Sequence, residues 1–113
     1  MKKLIVAAVA LFSVPALAKG GKHVSLKGEI IDTVCFLSKG AHGPAHKACA
    51  QGCLKAGNPA ALLSGGKLYA LLAAHGNESA MDAVKAHAGD VVTITGDEID
   101  KDGLRAVFVT AVQ

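Results

Sequence analysis

The chain has 113 residues, of which 51% are hydrophobic, and it carries 12 Lys and Arg against 9 Asp and Glu. This length is enough for one domain and short for two. With no Trp, one Tyr and three Phe, the chain has few side chains on which nucleic-acid bases could stack. The formal charge of +3 is small, so we expect neither a basic face nor a nucleic-acid partner.

Residues 1–18 have the pattern of a secretory signal peptide. Lys2 and Lys3 form a positive start, an apolar stretch follows, and Ala16 and Ala18 supply the small residues of a cleavage site. The apolar stretch is shorter than the roughly 20 residues that span a membrane. We therefore expect a periplasmic protein without a stable membrane anchor. Cleavage leaves a single domain of 95 residues, 19–113, and lowers the formal charge to +1.

The first half of this domain reads as a strand followed by a helix. Apolar and polar residues alternate over 23–37, which predicts one long strand. A loop is expected over 38–43. Pro44 suits the first turn of a helix, so the sequence predicts a helix over about 44–56 that stops at Gly57.

The second half predicts three further strands, over 67–74, 91–99 and 104–112, and a second helix over 78–88 that stops at Gly89. Asp102-Gly103 between the last two strands is a hairpin signal. The sum is a mostly β, α+β domain with two short helices. The long first strand and the final hairpin favour a small OB-like barrel, with a sheet covered by helices as the alternative.

Three cysteines and two histidines make the chemically most informative cluster. His46, Cys49 and Cys53 are three and four residues apart, a spacing that places them on one helix face. Cys35, at the end of the predicted first strand, can complete a group of four. Thiolates with imidazole suit tetrahedral Zn²⁺, and thiolates also suit Cu(I). We therefore predict a copper or zinc site, with His42 in the preceding loop as an optional ligand.

Asp32 is placed to orient this site. A carboxylate that hydrogen-bonds a ligating histidine fixes its tautomer, and Asp32 is the candidate partner for His46. The function predicted from these residues is buffering or delivery of the ion, with no enzymatic activity.

Two other readings of the cysteines stay open at this point. Exported proteins commonly pair their cysteines, and an odd number leaves one thiol over. The chain would then be a disulfide-stapled interaction module without metal, and its partner another protein of the cell envelope. Alternatively, His46 could lower the pKa of a neighbouring cysteine and create a reactive thiol. The absence of a C-x-x-C motif speaks against thioredoxin-type exchange.

Several stretches together carry a family resemblance. Gly28–Asp32, Cys35, the segment His46–Cys53 and Gly57-Asn58-Pro59 resemble a group of small exported bacterial domains with OB-like barrels, whose function is poorly characterised. Gly89–Gly96 is similar to a barrel strand of such proteins. The resemblance covers most of residues 19–113. It implies a fold and a location outside the cytoplasm, and it brings no activity with it.

Overall fold

A computed structural model describes residues 21–113 of the chain. The predicted signal peptide, residues 1–18, lies outside the described residues. Within the described residues, no helix has the length and apolar character needed to cross a membrane.

Five strands and three α-helices make up the described chain. The elements in order are β1 (Lys22–Asp32), α1 (Thr33–Lys39), a 3₁₀ turn (Pro44–His46), α2 (Lys47–Lys55), β2 (Ala60–Ser64), β3 (Lys67–Ala73), α3 (Ala80–Ala86), β4 (Val91–Lys101) and β5 (Leu104–Val112).

The strands form a closed barrel in the order β1-β2-β3-β5-β4. The long β1 pairs antiparallel with both β2 and β4, so it takes part in two sides of the barrel. β3 and β5 run parallel and close the remaining side between Ala70–Ala73 and Ala106–Val109. This mostly β architecture confirms the predicted barrel and is consistent with an OB-like fold.

The prediction of one strand over 23–37 was wrong at its end. β1 stops at Asp32, whose side chain accepts a hydrogen bond from the Val34 amide at 3.0 Å and caps α1. α1 then continues to Lys39, and Gly40 ends it with a φ of 67°. The alternation in this stretch is too short to distinguish a strand from a single helical turn, and the capping carboxylate decides for the helix.

Two further expectations need correction. The described chain has three α-helices instead of two, because α1 was read as strand and loop. β2 was missed because its sequence, Ala-Ala-Leu-Leu-Ser, has little β-branched or aromatic character. The final hairpin is confirmed: Asp102 and Gly103, with φ of 53° and 87°, form a two-residue turn between β4 and β5.

The helix α2 packs against the apolar core of the barrel. Ala50 and Leu54 are buried on its inner side and belong to the same apolar core as residues from every strand. Gly57, just beyond α2, has a φ of 108°, and Gly89 after α3 has a φ of 84°, so both predicted helix stops are confirmed as left-handed positions. The core thus fixes the position of the helix that carries two of the three cysteines.

Candidate metal centre

All three cysteines lie in the segment 33–59, which connects β1 with β2. α1 carries Cys35, the 3₁₀ turn carries His46, and α2 carries Cys49 and Cys53. The two ends of this segment are held together, because the Thr33 amide donates to the Pro59 carbonyl at 3.0 Å. The connection between two neighbouring strands therefore folds back on itself and brings α1 against α2.

The three thiols converge. The Sγ atoms of Cys35, Cys49 and Cys53 all lie within 4.8 Å of one another. Cys35 and Cys53 are half-buried and Cys49 is exposed, and all three are free thiols. The structure therefore gives no support to the alternative in which two of these cysteines are already joined as a structural disulfide.

A second set of three ligand atoms shares Cys35 with the first. Donor atoms of Asp32, Cys35 and His46 also lie within 4.8 Å of one another. His46 Nε2 is buried and has no hydrogen-bond partner. Leaving a buried ring nitrogen without a partner is costly, and a bound cation is one way to satisfy it.

Asp32 is held in place by several hydrogen bonds. It is fully buried, and its carboxylate accepts hydrogen bonds from the Val34 amide and from Asn58 Nδ2. Burial by itself would raise the pKa of Asp32. Hydrogen bonds with Cys35, Asn58, the Val34 amide and Cys53 outweigh burial and hold the pKa of Asp32 below its usual value. The carboxylate is thus ionised beside two of the three thiols.

The same carboxylate keeps the neighbouring thiols protonated. The hydrogen bond between Cys35 and Asp32, followed by burial and by the negative charges nearby, raises the pKa of Cys35 to about 11. Burial, followed by the hydrogen bond and charge of Cys49 and then by Asp32, also raises the pKa of Cys53. Thiols with a raised pKa are poor nucleophiles at neutral pH, so this environment does not favour Cys35 or Cys53 as a reactive cysteine.

His42, the optional ligand, makes a different contact. Its Nδ1 lies 3.3 Å from Glu29 Oε1, and its ring packs edge-on against Phe36. The other Glu29 oxygen accepts a hydrogen bond from the Gly43 amide at 2.7 Å. Within residues 21–113, neither set of converging ligand atoms includes His42. Its observed role is to hold the 40–43 loop to β1.

The donor set suits a soft or borderline ion. In a tetrahedral site with metal–sulfur bonds of about 2.3 Å, the sulfur atoms are roughly 3.8 Å apart. Three sulfurs already within 4.8 Å need only small side-chain movements to reach that separation. The imidazole of His46 offers a nitrogen that lies within 4.8 Å of the Cys35 sulfur. Three thiolates and one imidazole match Zn²⁺, and three thiolates match Cu(I).

Sequence reasoning missed two residues that shape this region. Asn58 was named only within the stretch that carries the family resemblance, and Glu29 was read as a polar residue of a strand. Asn58 stands beside Pro59 at the end of the segment, where an Asn commonly forms hydrogen bonds with nearby backbone or side chains. No comparable signal marks Glu29, because its partner loop comes close only in the folded chain.

Comparisons of the chain with protein-family models, with curated proteins and with solved structures gave no significant match. The geometry of this site is therefore the basis for a functional conclusion.

Proposed function

We propose that this protein is an exported metal-binding protein that buffers or delivers one copper or zinc ion. Cys35, Cys49, Cys53 and His46 are the proposed ligands. The observation that carries the proposal is the convergence of three thiols within 4.8 Å of one another, drawn from two helices.

The surroundings of the thiols support binding in preference to catalysis. His46 Nε2 is buried without a partner beside Cys35. Asp32 is ionised and held by Asn58, so it contributes negative charge that favours a bound cation. The proposed role is to hold and release the ion.

The metal-free site starts from protonated thiols, so binding must release protons. In the free protein the Asp32 carboxylate accepts the hydrogen bond of the Cys35 thiol, which must lose that proton when the ion binds. Metal affinity should then rise with pH through the neutral range, since each thiol must lose its proton before it ligates.

A titration tests the proposal. Reduced protein is titrated without oxygen, with Cu(I) and separately with Zn²⁺, against a chromogenic chelator of known affinity. One equivalent of one ion is expected to bind, and Cys49→Ser and His46→Ala are each expected to weaken binding. His87→Ala is the matched control, because His87 Nδ1 pairs with Asp90 after α3. The absence of stoichiometric binding of both ions would refute the proposal.

Two measurements address the remaining parts of the proposal. N-terminal sequencing of the protein from its native host should give Lys19 as the first residue, and a soluble protein that still begins at Met1 would contradict export. Intact mass after alkylation should show three modified cysteines once the metal is removed, whereas a disulfide-stapled module would show one.

A further inference from the structure

The outer side of α2 is open to solvent around Cys49. Cys49 is exposed, whereas Cys35 and Cys53 are half-buried. We call this surface the open face. Its other exposed residues are the small residues Ala45, Ala48, Gly52 and Ala56 and, at the end of α2, Lys55. Within one turn of Cys49, every other exposed residue is small, which leaves the Cys49 sulfur open to a molecule that approaches α2 from outside.

Gly52, one turn after Cys49, has no structural reason within residues 21–113 to be glycine. It lies inside α2 with a helical backbone, where glycine is less stable than alanine. A side chain built at Gly52 would meet nothing within 4 Å. Gly89, by contrast, has a left-handed backbone, and a Cβ there would lie 2.8 Å from Lys47. The packing explains Gly89 and does not explain Gly52, which leaves open space beside α2 one turn after Cys49.

Charge indicates what that molecule is. The segment 33–59 contains three lysines and no carboxylate, although the whole chain has nine Asp and Glu. Lys47 pairs with Asp90 at 2.7 Å. Lys39 and Lys55 are exposed, and in the described part of the chain they form no ion pair. The exposed charge of this segment is therefore positive and unpaired, whereas the ionised Asp32 beside the cluster is buried, and exposed positive charge attracts an anion.

We propose that the open face of α2 is where a negatively charged thiol ligand meets the bound ion and takes the place of Cys49. This inference rests on the proposed function and adds the chemical class of the molecule that gives or receives the ion. Cys49 is the ligand that exchanges, and Cys35 and Cys53 hold the ion while it does so.

The exchange step is a simple substitution. The incoming thiol loses its proton, its sulfur bonds to the ion, and the bond between the ion and Cys49 breaks. The Cys49 thiolate then takes up a proton. The ion keeps its oxidation state, so the step needs no oxidant or reductant.

The first test uses the reduced protein loaded with one equivalent of the ion that it binds. Glutathione, which is anionic, is the thiol probe, and a chromogenic chelator reports the released ion. Gly52→Leu adds bulk beside Cys49, and should slow release by about threefold or more through restricted approach. Its equilibrium affinity for the ion should stay within about twofold of wild type, since no ligand is changed, and its melting temperature should be equal or higher.

Ala86→Leu is the matched control, because it places the same side chain at an exposed position of α3. It should leave the rate of release at the wild-type value. Equal rates for Gly52→Leu and wild type, or equal slowing in both variants, would overturn the role of the open face.

The second test concerns charge. The double variant Lys39→Glu, Lys55→Glu should slow release to glutathione by about 3- to 10-fold at low ionic strength, and added salt should reduce the difference. Release to β-mercaptoethanol, a neutral thiol, should be unaffected by these substitutions. An equal effect on both thiols would overturn the assignment of an anionic ligand.

The third test identifies the exchanging ligand. Metal-loaded protein is treated briefly with iodoacetamide, and the modified cysteine is located by peptide mass spectrometry. Cys49 should react before Cys35 and Cys53, and the reverse order would overturn the proposal. A protein that binds no ion fails already in the titration, so failure of the proposed function is distinguishable from failure of this inference.

Discussion

Asn58 Nδ2 donates hydrogen bonds to both carboxylate oxygens of Asp32, at 3.2 and 3.3 Å. Asp32 ends β1, and Asn58 precedes β2 by two residues, so this contact joins the two ends of the segment that carries the three thiols and His46. The amide leaves the carboxylate ionised beside Cys35 and Cys53. One side-chain pair therefore fixes both the shape and the charge of the proposed metal centre.

Replacing Asn58 should destabilise the metal-free protein. Asn58→Ala leaves the buried Asp32 carboxylate with fewer donors, and we expect a loss of about 1–3 kcal/mol in the free energy of unfolding. Urea denaturation of the metal-free protein measures it. Gln51→Ala, which removes an exposed hydrogen bond to the Ala86 carbonyl, is the control and should change the value by less than about 0.5 kcal/mol. Equal stability of Asn58→Ala and wild type would show that the contact contributes nothing.

Leu54 should matter both for the barrel and for the ion. Its side chain is fully buried in the core, next in sequence to the proposed ligand Cys53. Leu54→Ala should cost about 2–5 kcal/mol of stability, because a large-to-small change leaves a cavity. It should also weaken metal binding, since α2 loses the contact that positions it. Leu37→Ala on the exposed side of α1 is the control, and a similar loss in both variants would contradict this account.

Gly103→Val should destabilise the final hairpin. Gly103 has a φ of 87°, and a β-branched residue in the left-handed region costs about 1 kcal/mol or more. Its Cβ would meet nothing within 4 Å, so the effect is one of backbone conformation and not of steric contact. Asp102→Asn is the control, because Asn tolerates the φ of 53° at that position. Thermal melting that is the same for Gly103→Val and wild type would argue against the turn.

The metal-free protein should lose stability at alkaline pH through Cys35. The folded protein raises the pKa of this thiol from 9.0 to about 11, so folding favours the protonated form. That contribution is fully present below about pH 9, and it is lost as the pH rises through about 11. Melting temperatures measured with a chelator between pH 7 and pH 11 should show a decline that Cys35→Ser makes shallower. Parallel pH profiles for the two proteins would contradict the effect.

Zn²⁺ or Cu(I) should give the opposite pH dependence at lower pH. A bound ion needs the Cys35 thiolate, so rising pH helps binding. The stabilisation produced by one equivalent of ion, measured as the increase in melting temperature, should therefore grow between pH 6 and pH 9. An increase that is the same at each pH would mean that no proton is displaced, and hence that Cys35 is not a ligand.

The sequence was a good guide to the barrel where local signals were strong. β4 and β5 follow from alternation and the Asp102-Gly103 turn, and the helix that carries Cys49 and Cys53 was placed nearly where α2 lies. It was a poorer guide between Asp32 and Lys39, since a seven-residue helix leaves too few turns for its period to be recognised. A single hydrogen bond from the Val34 amide ends the strand there, and such a cap is visible only once the backbone direction is known.

The cluster was predictable in part for the same reason. The spacing of Cys49 and Cys53 is local and was read correctly as one helix, whereas His46 lies in the 3₁₀ turn before it and converges with Asp32 and Cys35. The prediction required Cys35 to reach the other thiols from the end of a strand. The structure brings Cys35 to them by folding α1 against α2. The tertiary contact of His42 with Glu29 has no local signature at all, and so its optional place among the ligands could not be judged from spacing.

Two sides of the helix α2 depend on the same helix orientation. Leu54 is buried in the barrel core, and its neighbour Cys53 faces the other two thiols, with about 100° of helical turn between them. A rotation by a single position would withdraw Leu54 from the core in the same movement that carried Cys53 away from Cys35. The core packing thus determines the positions of the sulfur atoms on α2. Any substitution that changes how the helix packs in the barrel, however conservative in volume, should therefore change which ion the proposed metal centre prefers.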